Sequence, residues 1–310
     1  MEELPGMDKD LSGERYPLAW FKKRALNSFV QIDDHTWDYS DSLLLYIPGT
    51  EKEYEAMQEI DTTYHEMVTK PERTYLEHIA PEVADELPEH FDYIDLGPGT
   101  EHKEQFVFDA AKTKGKTFTY TPVDISERFL KLSSEYATQQ GLEVHPQQVP
   151  FEELASLLGP VMAQRFVSLG LTYSNYNPAY ILSLLRQTAG AGGSFFINAQ
   201  IRDRVDMEKI RKTYGEDMYS ITNSKLELLG LDAKADVESV ETDDSIRSWC
   251  TLKRSTPELE ARGIMPGARL LMFQSLRYTK DALEKNLGLH CPDYTLFDTG
   301  ETFIGALIKT

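Results

Sequence analysis

The sequence predicts an α/β fold: a parallel sheet flanked by helices, joined to a second unit of mixed α+β character. Three observations predict it. Between residues 91 and 199, short apolar runs alternate strictly with amphipathic ones. The first apolar run ends in a glycine-containing turn, "LGPG", which opens a helical stretch. After about residue 201 the alternation stops, and strand-like runs follow one another. Strict alternation is the pattern of a parallel sheet covered on both faces.

Residues 1 to about 70 show no clean period, with helical pieces at 18–29 and 51–60. "FDYIDLG" (91–97) reads as a buried strand and "EHKEQFVFDAAKTKG" (101–115) as a helix that Gly115 terminates. "TFTYTPVD" (117–124) is the next strand. "SERFLKLSSEYATQQG" (126–141) is a helix with Ser126 as N-cap and Gly141 as its stop. A short strand near 142–149, the helix "FEELASLLG", the strand "RFVSLGL", a helix over 179–188 and the strand "SFFINA" complete the alternation. Beyond it, 205–230 is helical, and "VESVETDDSIRSWCTLKR" and "ARLLMFQSLRYT" read as antiparallel strands. A helix over 280–287 and the strand-like runs "YTLFD" and "TFIGALI" close the chain.

A chain of 310 residues allows about one to two domains and a sizeable core. The balance of 51 carboxylates against 32 Lys and Arg gives a net charge of −19, which repels phosphate backbones and argues against a nucleic-acid partner. The polar, acidic start, MEELPGMDKD, is no signal peptide, and no apolar run is long enough for a membrane span. Cys250 and Cys291 therefore read as thiols in a reducing cytoplasm. The histidines lack metal-ligand spacing, so no metal site is expected.

The strongest chemical signal is "YIDLGPGTEHK". Gly97 and Gly99 follow a strand and open a helix, where glycine lets backbone approach a ligand. His102 occupies the place of the third glycine of a dinucleotide fingerprint, which weakens NAD or FAD and leaves a nucleoside ligand without phosphates. Asp124 ends the next strand, where a carboxylate can accept from both ribose hydroxyls. Phe151 opens the helix after the third strand, where an aromatic ring can lie against adenine. Together these form the S-adenosylmethionine (SAM) arrangement of a class I, Rossmann-like methyltransferase. The plainer reading is a generic α/β turn with a solvated aspartate.

On "DLGPGTEHK", "TPVDIS", "FEEL", "LGLTYSN", "TYGED" and "QSLRY", the chain resembles the histidine-specific methyltransferases of ergothioneine biosynthesis, which methylate the α-amine of an amino acid. Related fungal enzymes methylate the amine of a prenylated tryptophan. The resemblance implies a SAM-binding unit over 72–200 and 287–310. It implies a substrate-binding second unit over 1–71 and 201–286, formed by N-terminal and inserted segments. It makes Gly97, Lys103, Asp124 and Phe151 cofactor contacts. It matches Asn175 and Tyr214 to residues that hold the substrate's amino-acid head group, and Ser275 to a serine near its side chain.

Three positions depart from the family. Pro150 stands where the family has an acidic residue beside adenine. Phe273 replaces a glutamate that pairs with imidazole. An ungapped pairing puts Glu66 at a substrate-binding tyrosine. A phenyl ring cannot accept from an imidazole N–H, so histidine is a poor fit, and a larger apolar or aromatic amino acid, or an amine paired by Glu66, fits better. Methyl transfer needs a neutral amine held in line with a sulfonium, and Asn175, Tyr214 and Glu66 are residue types that can orient its N–H bonds.

Plainer readings stand beside these: Tyr214, Phe273 and Trp249 as packing, Glu66 as a solvated helix charge, Ser275 as a strand hydroxyl facing water. "NYNPAY" is one letter from an Asn-Pro-Pro-Tyr amine-methylation motif, which leaves a methyltransferase of another amine or amide as an alternative. A cofactor-binding homologue without turnover is a further one. Yet Asn177 with Pro178 is also a helix start, so Asn175 is the stronger candidate.

Overall fold

Two sheets organise the chain. The computed structural model describes residues 15–310 except 60–61, 160–163, 217–218 and 232–235. The N-terminal stretch MEELPGMDKD therefore lies outside the described residues. So do Ile60, where the second expected helix was to end, and positions 217–218 in the helical run after 205.

The N-terminal region comprises helix α1 (Leu18–Asn27), strands β1 (Val30–Asp33) and β2 (Thr36–Asp38), a 3-10 turn over Ser42–Leu45 and helix α2 (Glu51–Met57). A π-helical turn over His65–Thr69 runs directly into α3 (Lys70–Glu86). The alternating middle follows as β3 (His90–Leu96), α4 (Glu104–Thr113), β4 (Thr117–Asp124), α5 (Glu127–Gln139), β5 (Gln147–Gln148), α6 (Phe151–Leu157), β6 (Gln164–Leu169), α7 (Pro178–Ala189) and β7 (Ser194–Gln200). Next come α8 (Met207–Glu216), α9 (Tyr219–Leu228), β8 (Asp236–Glu241), β9 (Ser245–Thr251), α10 (Pro257–Glu260) and β10 (Arg269–Leu276). The chain closes with α11 (Lys280–His290), β11 (Tyr294–Asp298) and β12 (Phe303–Lys309).

The larger sheet has seven strands in the order β11-β12-β7-β6-β3-β4-β5. β5, β4, β3, β6 and β7 run parallel, and β12 is antiparallel to both its neighbours. The Rossmann-like α/β sheet expected from the alternation is present. Its strand order reverses between β3 and β6, and a ligand crevice forms at the carboxyl ends of the strands beside such a reversal.

Alternation along β3 sends Phe91 and Tyr93 to one face, into a core with Tyr75, Ile79 and Phe108 of α3 and α4. Ile94 and Leu96 face the opposite core, with Ile181 and Leu185 of α7. Leu283 and Leu287 of α11 are buried in that same core. Ser126 caps α5 by accepting from Phe129 N, and Gly115 and Gly141 follow α4 and α5 with positive φ, as their positions predict.

The second sheet has five strands in the order β1-β2-β10-β9-β8. β2 pairs in parallel with β10, which joins the N-terminal hairpin to a segment over 200 residues away. Its apolar side packs with Phe21, Tyr39, Leu226 and Leu270. Cys250 is buried in this core and Cys291 in that of the larger sheet, with no bridge between them. Among the described residues no helix is long and apolar enough to cross a membrane.

The β1–β2 hairpin, α3 and the short α10 were missed. The β1–β2 hairpin has all four β1 residues exposed, so no apolar alternation marks it. Helix α3 carries Pro71 in its first turn and Pro81 in its interior. The first is tolerated because that N–H has no intrahelical partner, whereas the second breaks the ladder and obscures the helix in the sequence.

Candidate active site

The site grows from the turn after β3. Gly97 and Gly99 have φ of +68° and +66°, a left-handed conformation that favours glycine. Gly97 N donates to Val123 O of β4 (2.8 Å), which pins the turn to the sheet. A Cβ on Gly97 would lie 3.5 Å from the Phe151 ring, so the missing side chain leaves a narrow slot between turn and ring. Asp124 closes the far side of this slot. It is 6% exposed and accepts from Ser126 N at 2.8 Å. Burial pushes its pKa up to about 7 against the pull of the Ser126 and Ile125 N–H groups, and Glu51 adds to the rise. Gly97, Gly99, Asp124 and Phe151 thus line one small cavity, with Pro150 and Phe129.

A larger cavity opens beside it, and the two share Tyr46, Tyr54, Gly97, Gly99 and Thr172. Lys103, Asn175, Tyr214 and Phe273 all line the larger one. Lys103 precedes α4, and its Nζ lies 2.8 Å from Glu72 Oε2 and 3.3 Å from Glu101 Oε2. Burial opposes the ammonium charge, but Glu72 and Glu101 outweigh it and hold the pKa above its ordinary value. Glu72 also accepts from Asn198 Nδ2 (2.9 Å) and Leu171 N (3.3 Å), tying α3 to β7 and to the turn after β6. Asp95, at the end of β3, is raised to about 7 by burial and by Glu104, against hydrogen bonds from Ser168 Oγ and Tyr120 Oη.

Asn175 ends a 3-10 turn, Leu171–Asn175, at the mouth of β6. Asn177 is the N-cap of α7, with Oδ1 accepting from Tyr180 N at 3.3 Å. Tyr214 stacks on Phe273 (ring centroids 5.5 Å, interplanar angle 15°) and meets Tyr64 edge-on at 6.3 Å. Ser275 does not face water: it is 1% exposed and bonds the Tyr214 hydroxyl from outside the cavity lining.

Glu66 requires correction. It lies outside both cavities, half-exposed, and pairs with Lys70 across one turn at 2.9 Å. Tyr64, two positions earlier, lines the larger cavity and is buried. Residues two apart on a helix point to nearly opposite sides, so an offset of two exchanges wall for surface. Sequence reasoning also missed Tyr46, Tyr54, Glu72 and Arg277. The first two fall in the stretch without period, and Glu72 reads as one more charge of an acidic helix. Burial raises the phenol pKa of Tyr46, Tyr54 and Tyr64, so each is a hydrogen-bond donor at neutral pH.

Comparison with known proteins adds the family. A family model described as "Histidine-specific methyltransferase, SAM-dependent" matches residues 49–238. No match was found among curated proteins. Among solved structures, the chain is similar to a SAM-dependent methyltransferase from Clostridium acetobutylicum (13% identity, 83% of this chain and 97% of that one, TM-score 0.42). It is also similar to the PH0226 protein of Pyrococcus horikoshii (13% identity, 76% and 90%, TM-score 0.45). A third is OxaC, solved with SAH and oxaline (9% identity, 76% and 47%, TM-score 0.41). The matched segment covers more than half of the chain and runs from α2 through the glycine turn, Asp124, Asn175 and Tyr214, and on that match the chain belongs to the family of SAM-dependent, histidine-specific methyltransferases.

Proposed function

We propose that this methyltransferase transfers the methyl group of SAM to the amine of an amino acid or related small molecule with a large apolar or aromatic side chain, not to histidine itself. The observation that carries the reading is Phe273, buried and stacked on Tyr214 in the cavity wall. The resemblance places an imidazole-pairing glutamate at this position. A wall of Phe273, Tyr64 and Tyr214 offers rings and no carboxylate there, and apolar surface is what such a wall rewards.

The residues present fit the cofactor. The slot that a Cβ on Gly97 would narrow, Phe151 beside it and the buried carboxylate of Asp124 suit an adenosine. When bound, SAM supplies an activated methyl group on a sulfonium. The protein's task is then to bind, orient and dehydrate the amine. Glu72, Asp95, Glu101 and Glu104 line the larger cavity with Lys103, an acidic balance that attracts an amine. Asn175 and Tyr214 are assigned to hold the head group. The segments 1–71 and 201–286 are assigned to the substrate side and 72–200 with 287–310 to the cofactor. Asn177 is spent on capping α7, which weighs against a role for Asn-Pro-Ala-Tyr.

The test is product analysis by mass spectrometry after incubation with SAM and a panel of amino acids and amines. Methylation of aromatic or large apolar amino acids, with histidine poor, is the expected result. Histidine as the best acceptor would refute the specificity, and no methylated amine despite SAH binding would refute the reaction.

A further inference from the structure

Arg277 is the one fully buried arginine among the described residues, at 0% exposure, and the proposed reaction leaves it without a role. Its guanidinium donates to Ser275 Oγ (2.7 Å), Leu276 O (2.9 Å) and Tyr214 Oη (2.6 Å). It lies over the Tyr214 ring, 5.3 Å from the centroid. These partners are neutral, Nε has none, and among the described residues no carboxylate pairs with it. A buried cation without an anion is costly, so its counter-charge is to be sought in what binds next to it.

The hydrogen-bond directions say how that charge reaches the cavity. Arginine can only donate, and Ser275 Oγ also donates to the Tyr214 oxygen, at 3.4 Å. The phenol oxygen is therefore an acceptor toward both neighbours. No acceptor for its own proton is found among the described residues, and Tyr214 lines the larger cavity. A phenol that accepts from a cation is a stronger donor on its free side. Glu72, Glu101, Glu104 and Asp95 line the same cavity near Lys103 and suit an ammonium. The cavity is thus bipolar: carboxylates toward the cofactor turn, and a cation behind a donating phenol at the second sheet.

We infer that Arg277 is a positioning residue that sets Tyr214 as a donor to the carboxylate of a zwitterionic substrate, making the enzyme select α-amino acids over the matching amines. This rests on the amine-methylation reading above.

The test compares phenylalanine with phenethylamine, tyrosine with tyramine and tryptophan with tryptamine, by kcat/KM for SAM-dependent methylation. The wild type should favour the amino acid in each pair that turns over. Arg277→Met should shrink that preference by about tenfold to a hundredfold, mainly through KM of the amino acid, and Arg277→Lys should restore part of it. Tyr214→Phe, which keeps the ring, should shrink it similarly and decides the matter if Arg277→Met fails to melt cooperatively. A purely structural role would lower both members of a pair together and leave their ratio unchanged, which overturns the inference. A wild type that prefers the amines overturns it while leaving the amine reading intact. Absence of methylation on every member, with SAH bound, sinks the amine reading and this inference with it.

Discussion

Asp124→Asn separates two demands on one carboxylate. Burial lifts its pKa from 3.8 to about 7, so an ionised Asp124 is held at a cost in the unliganded protein. Three pKa units correspond to about 4 kcal/mol, an upper bound that structural relaxation roughly halves. Because the folded pKa is raised, the group's contribution to stability is fully present below the unfolded value and lost as pH rises through about 7. Asparagine keeps an acceptor for Ser126 N and never ionises. The variant without cofactor should therefore melt higher than wild type at pH 8, by about 3 °C for about 2 kcal/mol in a chain of 310 residues. The advantage should fall to about half near pH 5.5 and vanish only below the unfolded value of 3.8, where Asp124 is neutral in both states.

Cofactor binding should move the other way. A ribose held by this carboxylate bonds a charged acceptor, and such bonds contribute about 1.5–3 kcal/mol each. Keeping only a neutral acceptor should weaken SAH binding at pH 8 by about tenfold to a hundredfold. Thermal melts across pH 5.5–8 without ligand and calorimetric titration of SAH measure both effects. A variant that melts below wild type at pH 8, or one that binds SAH as tightly, refutes the reasoning.

Three further outcomes follow from the site. Glu66→Gln should leave methylation within about twofold, because Glu66 makes only an exposed pair, worth about 0–1 kcal/mol, whereas Tyr64→Ala should cut kcat/KM at least about tenfold by opening the wall behind Tyr214. Asn177→Ala should lower the melting temperature through a lost cap of about 1 kcal/mol yet keep turnover, while Asn175→Ala should keep the melting temperature and lose turnover, measured by melts and SAH release. Phe273→Glu should move the preference in the amino-acid panel toward histidine by about tenfold or more, since it gives the wall an acceptor for an imidazole N–H.

What the sequence exposed and what it hid divide along contact range. The turn with Gly97 and Gly99, the cap at Ser126 and the carboxylate at Asp124 belong to strand–turn–helix units in which every partner is near in sequence. Pattern alone therefore placed them on the right elements, and Gly97, Gly99, Asp124 and Phe151 line one cavity. The larger cavity is made of long-range contacts. Tyr46 and Tyr54 come from a segment without period, Tyr64 from the edge of a π-helical turn, and Tyr214 and Phe273 from elements separated by β8 and β9. Glu66 falls outside the cavities and Tyr64 inside, a difference hidden from an ungapped pairing because it has no knowledge of helical phase. Helix α3, which supplies Glu72, was hidden by Pro71 and Pro81.

The same division explains how a pocket wall can change while the cofactor half stays recognisable. Phe273 lies on β10 in the five-stranded sheet, whose strand pairings are its own, although its ring is buried in the core shared with Phe91, Tyr93 and Phe108 of the larger sheet. Gly97 follows β3 and Asp124 ends β4 of the seven-stranded sheet, and their bonds run to Val123 and Ser126, neighbours within that unit. A substitution at Phe273 meets Tyr214 and the larger cavity, whereas Asp124 lines the smaller one. Replacing a carboxylate with phenyl there also removes a buried charge, and the ring regains packing against Tyr214, so the exchange need not destabilise the fold. Arg277 is what ties the changed wall to the constant chemistry. It stands four residues after Phe273, just past the end of β10, and grips the hydroxyl of the tyrosine on which Phe273 stacks. On the proposed reading, a change at Phe273 alters the cavity wall while the bond from Arg277 keeps the Tyr214 hydroxyl in its direction.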